Sequence, residues 1–173
     1  MIIVLLGYMT SGKSTIGKLL AEDLKYEFID LDEYIEQKEQ KTIRDIFKDS
    51  GEIYFRKIET QYLKEVITQE QNVVLSLGGG TPCYSNNMML LQEADKVTSI
   101  YLKVSIPNIV KRLKTGKHQR PLVAHLNTED ELLEFVGKHL FERTQFYNLA
   151  DTTITTDDWE VKDILEKIIV QLF

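Results

Sequence analysis

Ile2-Ile3-Val4-Leu5-Leu6-Gly7-Tyr8-Met9-Thr10-Ser11-Gly12-Lys13-Ser14 is the stretch whose reading decides the fold. Its first five residues are continuously apolar, the pattern of a strand buried on both faces of a sheet. The next eight fit G-x-x-x-x-G-K-[ST]. Glycines there let the backbone curl so that successive N–H groups face an anion, and a helix starting near Lys13 adds the positive end of its dipole. Lys13 would then reach the β- and γ-phosphates of a nucleotide, and the Ser14 hydroxyl would ligate Mg²⁺. Average residue usage makes a chance match on the order of one in a hundred. The motif also has the helix it requires, with Ile16, Leu19, Leu20 and Leu24 at helical spacing over Lys13–Leu24. An ordinary glycine-containing turn accounts for less of this, and a phosphate site built from Gly7–Thr15 is the reading.

Outward from this stretch, apolar runs alternate with helical patterns. Strands are predicted at Glu27–Asp30, Val73–Leu77, Thr98–Val104 and Thr152–Thr155. Helices are predicted at Asp32–Gln40, over 42–68 with a break at Ser50-Gly51, at Ile106–Leu113, at Thr128–Tyr147, and in a closing segment striped by Val161, Ile164, Leu165, Ile168, Ile169 and Leu172. Strand–helix alternation implies a parallel sheet covered on both faces. Ligands bind beyond the carboxyl ends of such strands, so Gly7–Thr15, Asp30–Asp32 and Gly78–Gly80 should converge on one mouth.

The 173 residues suit one domain. Apolar residues at 43% and charged residues at 28% exclude a wholly disordered chain. Cys83 has no partner for an internal disulfide and points to a reducing compartment. The apolar run Met1–Leu6 is far short of the roughly 20 residues of a membrane helix. It also lacks the flanks of a signal peptide, so the expectation is a soluble, cytoplasmic protein. The net charge of −6 argues against general nucleic-acid binding. Positive charge nevertheless gathers at Lys111, Arg112, Lys114, Lys117 and Arg120, with His118 among them; charge alone favours a solvated basic loop over an anion site there.

Asp30 and Asp32 follow the second strand. Were the strand to run through both, their carboxylates would share a face, an arrangement suited to a metal ligand and a general base beside a γ-phosphate. Helix capping, with Glu33 three residues after Asp30, is an equal alternative. Gly78-Gly79-Gly80 removes side-chain bulk at a strand exit, so a ligand can lie against the backbone there. Arg56 stands three residues before Glu59, the spacing of a helical ion pair, and Arg143 four before Tyr147. The three histidines show no metal-ligand spacing.

In this order the motifs resemble the shikimate kinase family over nearly the whole chain. The resemblance is carried by Gly7–Ser14, Asp30-Leu31-Asp32, Gly51-Glu52-Ile53-Tyr54-Phe55-Arg56-Lys57-Ile58-Glu59, Ser76-Leu77-Gly78-Gly79-Gly80, Arg120-Pro121-Leu122, and Arg143 with Tyr147. It implies a single P-loop kinase domain over 1–173: a three-layer αβα fold with a five-stranded parallel sheet, an acceptor-binding helical segment about 32–60 and a short mobile lid about 111–124. The activity implied is transfer of the ATP γ-phosphate to the 3-hydroxyl of shikimate, with Mg²⁺, by a monomer. By resemblance, Asp32 holds and deprotonates that hydroxyl and Asp30 helps place the metal. Arg56 and Arg143 clamp the shikimate carboxylate, with Gly78, Gly79 and Gly80 at the ring. Arg120 swings over the phosphates, Arg112 falls near an adenine-stacking arginine, and Thr115-Gly116 gives the lid a flexible point. Lys13 and Arg120 supply positive charge at the transferring group.

A gluconate or nucleoside monophosphate kinase would share the phosphate loop and lid. The set Asp32, Arg56, Gly79, Gly80 and Arg143 instead favours a polyol bearing a carboxylate. A nucleotide-binding module without catalysis ranks lower, since no N-K-x-D guanine motif occurs and the acidic and arginine elements would be idle.

Overall fold

The computed structural model describes residues 1–116, 123–126, 128–157 and 159–173. Strand β1 (Ile2–Leu6) is the middle of a five-stranded parallel sheet in the order β2-β3-β1-β4-β5, with β2 at Glu27–Asp30, β3 at Val73–Ser76, β4 at Val97–Lys103 and β5 at Thr152–Thr155. Both neighbours hydrogen-bond β1, Ile2 pairing with Val73 on one side and Val97 on the other. That position explains its unbroken apolar sequence. Side chains alternate across a strand, so Ile2, Val4 and Leu6 enter one core layer and Ile3 and Leu5 the other. The first layer packs α2 (Leu31–Glu39), α3 (Ile43–Ile67), α4 (Asn87–Glu93), α5 (Ile106–Gly116) and α6 (Glu129–Tyr147); the second packs α1 (Lys13–Leu24) and α7 (Val161–Leu172). The three-layer αβα reading is borne out. The edge strands β2 and β5 have four residues each and are partly polar, which protects a sheet edge from further pairing.

Local physics sets the elements that serve the site. α3 is two helices meeting at Gly51, whose φ of 80° and ψ of 174° interrupt the helical backbone at the expected break. A Cβ there would meet no atom within 4 Å, so the positive φ, not crowding, calls for glycine. α6 starts with a capping box: Thr128 accepts from the Glu131 N–H, and the Glu131 carboxylate accepts from the Thr128 N–H.

Two expectations are corrected. β2 ends at Asp30 and α2 begins at Leu31, so Asp30 and Asp32 do not share a strand face. Asp30 is the N-cap of α2, accepting from the Asp32 N–H at 3.1 Å. Helix α5 runs to Gly116, beyond the expected end at Leu113. Of the expected lid, Lys117, His118, Gln119, Arg120, Pro121 and Leu122 lie outside the described residues, and Val123 is buried in the first core layer. Among the described residues no helix is long and apolar enough to cross a membrane.

Candidate active site

The phosphate loop leaves β1 at Gly7. A Cβ on Gly7 would lie 2.7 Å from the Leu102 carbonyl and 2.9 Å from Ser11 Oγ, and its φ is 150°, so only glycine fits the exit between β1 and β4. Thr10 takes a left-handed φ of 66°, and its carbonyl accepts from Arg112 Nη1 at 2.9 Å. Gly12, also left-handed, caps α1. Lys13 Nζ lies across the loop, donating to the carbonyls of Gly7 (2.9 Å) and Tyr8 (3.0 Å). The Ser14 hydroxyl donates to Asp30 Oδ2 at 2.9 Å. A cavity of about 580 Å³ opens here, lined among others by Lys13, Ser14, Thr15, Asp30, Asp32 and Arg112.

A second cavity, of about 260 Å³, adjoins the first and shares Met9, Asp32, Gly78 and Gly79 with it. Arg56, Glu59, Gly80, Arg143 and the apolar side chains Ile43, Phe47 and Phe55 complete its lining. The glycine strip is close-fitting. A Cβ on Gly78 would come within 2.9 Å of Asp32 Oδ1, one on Gly79 within 3.6 Å of Arg143 Nη1, and one on Gly80 within 3.2 Å of Arg56 Nη2. Thus Asp32, Arg56 and Arg143 all reach the strip exiting β3.

Arg56 is held firmly. Its Nη1 donates to Glu59 Oε2 at 2.8 Å, and its guanidinium stacks 3.6 Å from the centroid of the Tyr84 ring, a favourable cation–π geometry. Glu59, 1% exposed, also accepts from the buried Thr81 hydroxyl at 2.6 Å. Asn87 donates to the Thr81 carbonyl at 2.8 Å and accepts from the Thr60 hydroxyl. A buried carboxylate needs such partners; together they fix the face that Arg56 presents. Arg143 is flanked on α6 by Tyr147, whose hydroxyl donates to the Gly79 carbonyl at 2.6 Å.

Burial first, then the negative charges of Asp30 and Glu59, push the Asp32 carboxyl up to about 6, against the opposing pull of Lys13. A carboxylate poised near neutrality suits a proton acceptor. Burial also pushes the Cys83 thiol up to about 11, so it stays protonated at neutral pH and is a poor nucleophile.

Every described member of the predicted site lines one of the two cavities except Gly7, Tyr8 and Ser11, which build the loop beneath them. Arg120 lies outside the described residues. Sequence reasoning missed Thr81, Tyr84 and Asn87. They depend on the turn after Gly80 folding back on α3, for which the chain carries no local signal.

A phosphate loop and an arginine-lined cavity, meeting at one carboxylate on a five-stranded parallel sheet, are the features of a P-loop small-molecule kinase. A family model described as shikimate kinase matches residues 9–173. The chain is 49% identical over 99% of its length to a shikimate kinase from Flavobacterium psychrophilum, 98% of which is covered. It superposes with a TM-score of 0.89 on the crystal structure of a shikimate kinase from Bacteroides thetaiotaomicron, at 35% identity over 99% of this chain and 97% of that one. A shikimate kinase from Acinetobacter baumannii, solved in complex with shikimate, matches with a TM-score of 0.82 at 33% identity, over 99% of this chain and 92% of that one. The chain belongs to the shikimate kinase family.

Proposed function

We propose that this chain transfers the γ-phosphate of ATP to the 3-hydroxyl of shikimate, giving 3-phosphoshikimate and ADP in aromatic amino-acid synthesis. The observation that carries the reading is the place of Asp32, on the wall shared by the phosphate-loop cavity and the arginine-lined cavity. A group there touches both partners of a phosphoryl transfer. Family membership supports the acceptor's identity.

Phosphoryl transfer depends on positioning and charge neutralisation more than on covalent chemistry. The loop amides and Lys13 grip the triphosphate. Arg56 and Arg143 hold the acceptor carboxylate, for which the planar guanidinium fork is better suited than an ammonium. The glycine strip lets the ring lie against the backbone, and Asp32 orients the hydroxyl and takes its proton. Ser14 Oγ and Asp30 Oδ2, 2.9 Å apart, are hard oxygen donors of the kind Mg²⁺ takes beside substrate phosphates and water, so these two residues would hold the metal. Mg²⁺ supplies charge neutralisation at the phosphates. Arg112 and the basic segment ending at Arg120 serve as the nucleotide side and lid, whose closure excludes water and suppresses ATP hydrolysis. The protein acts as a cytoplasmic monomer on small molecules, with neither nucleic acid nor membrane as partner.

The test is a phosphotransfer assay with ATP·Mg²⁺ against shikimate, quinate, gluconate and a nucleoside monophosphate. Shikimate is expected to be the best acceptor. Faster turnover of gluconate or the nucleotide would overturn the assignment.

A further inference from the structure

Phe135, His139, Arg143 and Tyr147 recur at every fourth residue of α6 and so form one row on the helix. Arg143 stands between two polar members of that row, and each of them grips a loop at the mouth of the sheet. Tyr147 bonds the Gly79 carbonyl on the C-terminal side. On the N-terminal side, His139 Nδ1 is hydrogen-bonded to the Tyr8 hydroxyl at 2.9 Å. Tyr8 belongs to the phosphate loop; its side chain is buried, and its carbonyl accepts from Lys13. The imidazole is wedged between two rings, edge-on to Tyr8 with centroids 5.5 Å apart and 5.2 Å from the Phe135 centroid. The Arg143 guanidinium lies 6.0 Å from the centroid of the Tyr8 ring. Burial pushes the Tyr8 phenol up to about 12, and burial followed by the Arg143 charge lowers the imidazole below its ordinary value. A protonated phenol therefore meets a neutral ring, with the phenol donating to Nδ1 when Nε2 carries the imidazole proton.

We propose that His139 is a positioning residue for the acceptor clamp: through the Tyr8 hydroxyl it ties one turn of α6 to the phosphate loop, so that Arg143 faces Gly79 and the Asp32 crevice. Together with the Tyr147 bond, it pins the helix on both sides of the arginine. The role rests on the reading that the smaller cavity holds an acceptor carboxylate. It carries an unusual consequence, since a hydroxyl in the nucleotide loop should matter chiefly to the other substrate.

The decisive variant is His139→Leu, which keeps comparable bulk and removes the ring nitrogen that meets the Tyr8 hydroxyl. The expected result is a rise of about five- to tenfold in the shikimate KM, with the ATP KM and kcat within about twofold of wild type, the signature of lost ground-state positioning on one side. His139→Asn, whose Oδ1 can occupy the place of Nδ1, should recover most of the loss. Adding Tyr8→Phe, which removes the other end of the same bond, should raise the shikimate KM no further than the poorer single variant does. An unchanged shikimate KM in His139→Leu, equal rises in both KM values there, or additive losses in the double variant would each overturn the role. With wild-type turnover of shikimate intact, such results sink the positioning role alone. Wild-type protein that ignores shikimate sinks the functional reading, and this role with it.

Discussion

On the proposed reading, the two ends of the crevice hold anions by different means. At the phosphate end the grip is main chain: a loop bent by Gly7, Thr10 and Gly12, three residues of positive φ, with Lys13 laid over its carbonyls. At the acceptor end it is side chain: Asp32 from α2, Arg56 and Glu59 from α3, Arg143 from α6, and the supporting Thr81 and Tyr84 from the turn after β3. A backbone cradle is specified by where side chains are forbidden. A side-chain clamp is specified by the partners that keep each charged group in place. Substitutions should therefore sort by which kind of specification they disturb.

The largest effect is expected where the two ends meet. Asp32→Asn keeps the shape and removes the proposed base, so kcat should fall about a hundredfold or more while ATP still binds. Wild-type kcat/KM should decline as pH falls through about 6, the value to which burial and the neighbouring carboxylates raise Asp32. Stability should move the other way. A carboxyl whose folded-state pKa is raised stabilises the fold below its unfolded value, near 4, and loses that contribution as pH rises through about 6. At pH 7.5 the ionised group is a cost, so Asp32→Asn should raise stability, by at most about 3 kcal/mol at roughly 1.4 kcal/mol per pH unit. Urea unfolding at pH 7.5 and pH 4 checks this, the gain vanishing at the lower pH. Near-normal turnover, or lower stability at pH 7.5, would break the picture of a strained shared carboxylate.

Next come the clamps. Arg143→Ala should raise the shikimate KM on the order of thirtyfold or more and leave the ATP KM nearly unchanged, since it removes a charge-assisted bond from one side only. An ATP KM that suffers more would move this arginine to the phosphate end. A smaller loss is expected from Thr81→Val, which is nearly isosteric. The Glu59 carboxylate then loses its 2.6 Å donor and keeps Arg56. Leaving a buried acceptor short of a partner costs about 1–2 kcal/mol of stability, measurable in urea, and the loosened Arg56 should show as a several-fold rise in shikimate KM. An unchanged KM would mean that Arg56 is oriented by Tyr84 stacking alone.

The same division explains what could be read from the chain. The phosphate loop is local: strand, glycines, lysine and helix lie within residues 2–24, and each has a pattern that steric and hydrogen-bonding rules recognise. The sheet was legible for the same reason, because central-strand burial leaves runs such as Ile2–Leu6 and Val73–Leu75 without polar residues. Asp30 and Asp32 do face one crevice, but through a strand end and a first helical turn, with Asp30 capping the helix and accepting from Ser14 at once; periodicity cannot choose between those geometries. The Arg56–Glu59 pair was visible at its i,i+3 spacing, yet its weight comes from Thr81 and Tyr84, some 25 residues away in sequence, and no local rule links them. The helix α5 outran its apolar stripe through Lys114-Thr115-Gly116, since solvated residues can continue a helix without adding to its periodic pattern.

The smallest expected effect is the most pointed. Thr10, like Thr81, has a buried hydroxyl, but its Oγ1 has no hydrogen-bond partner among the described residues, and its backbone sits at a φ of 66°. For a β-branched residue that left-handed conformation costs about 1–2 kcal/mol. Thr10→Gly removes the strain at the expense of about 0.5–1 kcal/mol in unfolded-chain entropy. The carbonyl that accepts from Arg112 is main chain and survives. The net change in stability should thus lie within about 1 kcal/mol, and the ATP KM should shift less than about threefold. Paired with Thr81→Val in the same urea and kinetic measurements, it compares two threonines at opposite ends of one crevice. A loss at Thr10 as large as that at Thr81 would mean that the phosphate end relies on its side chains after all.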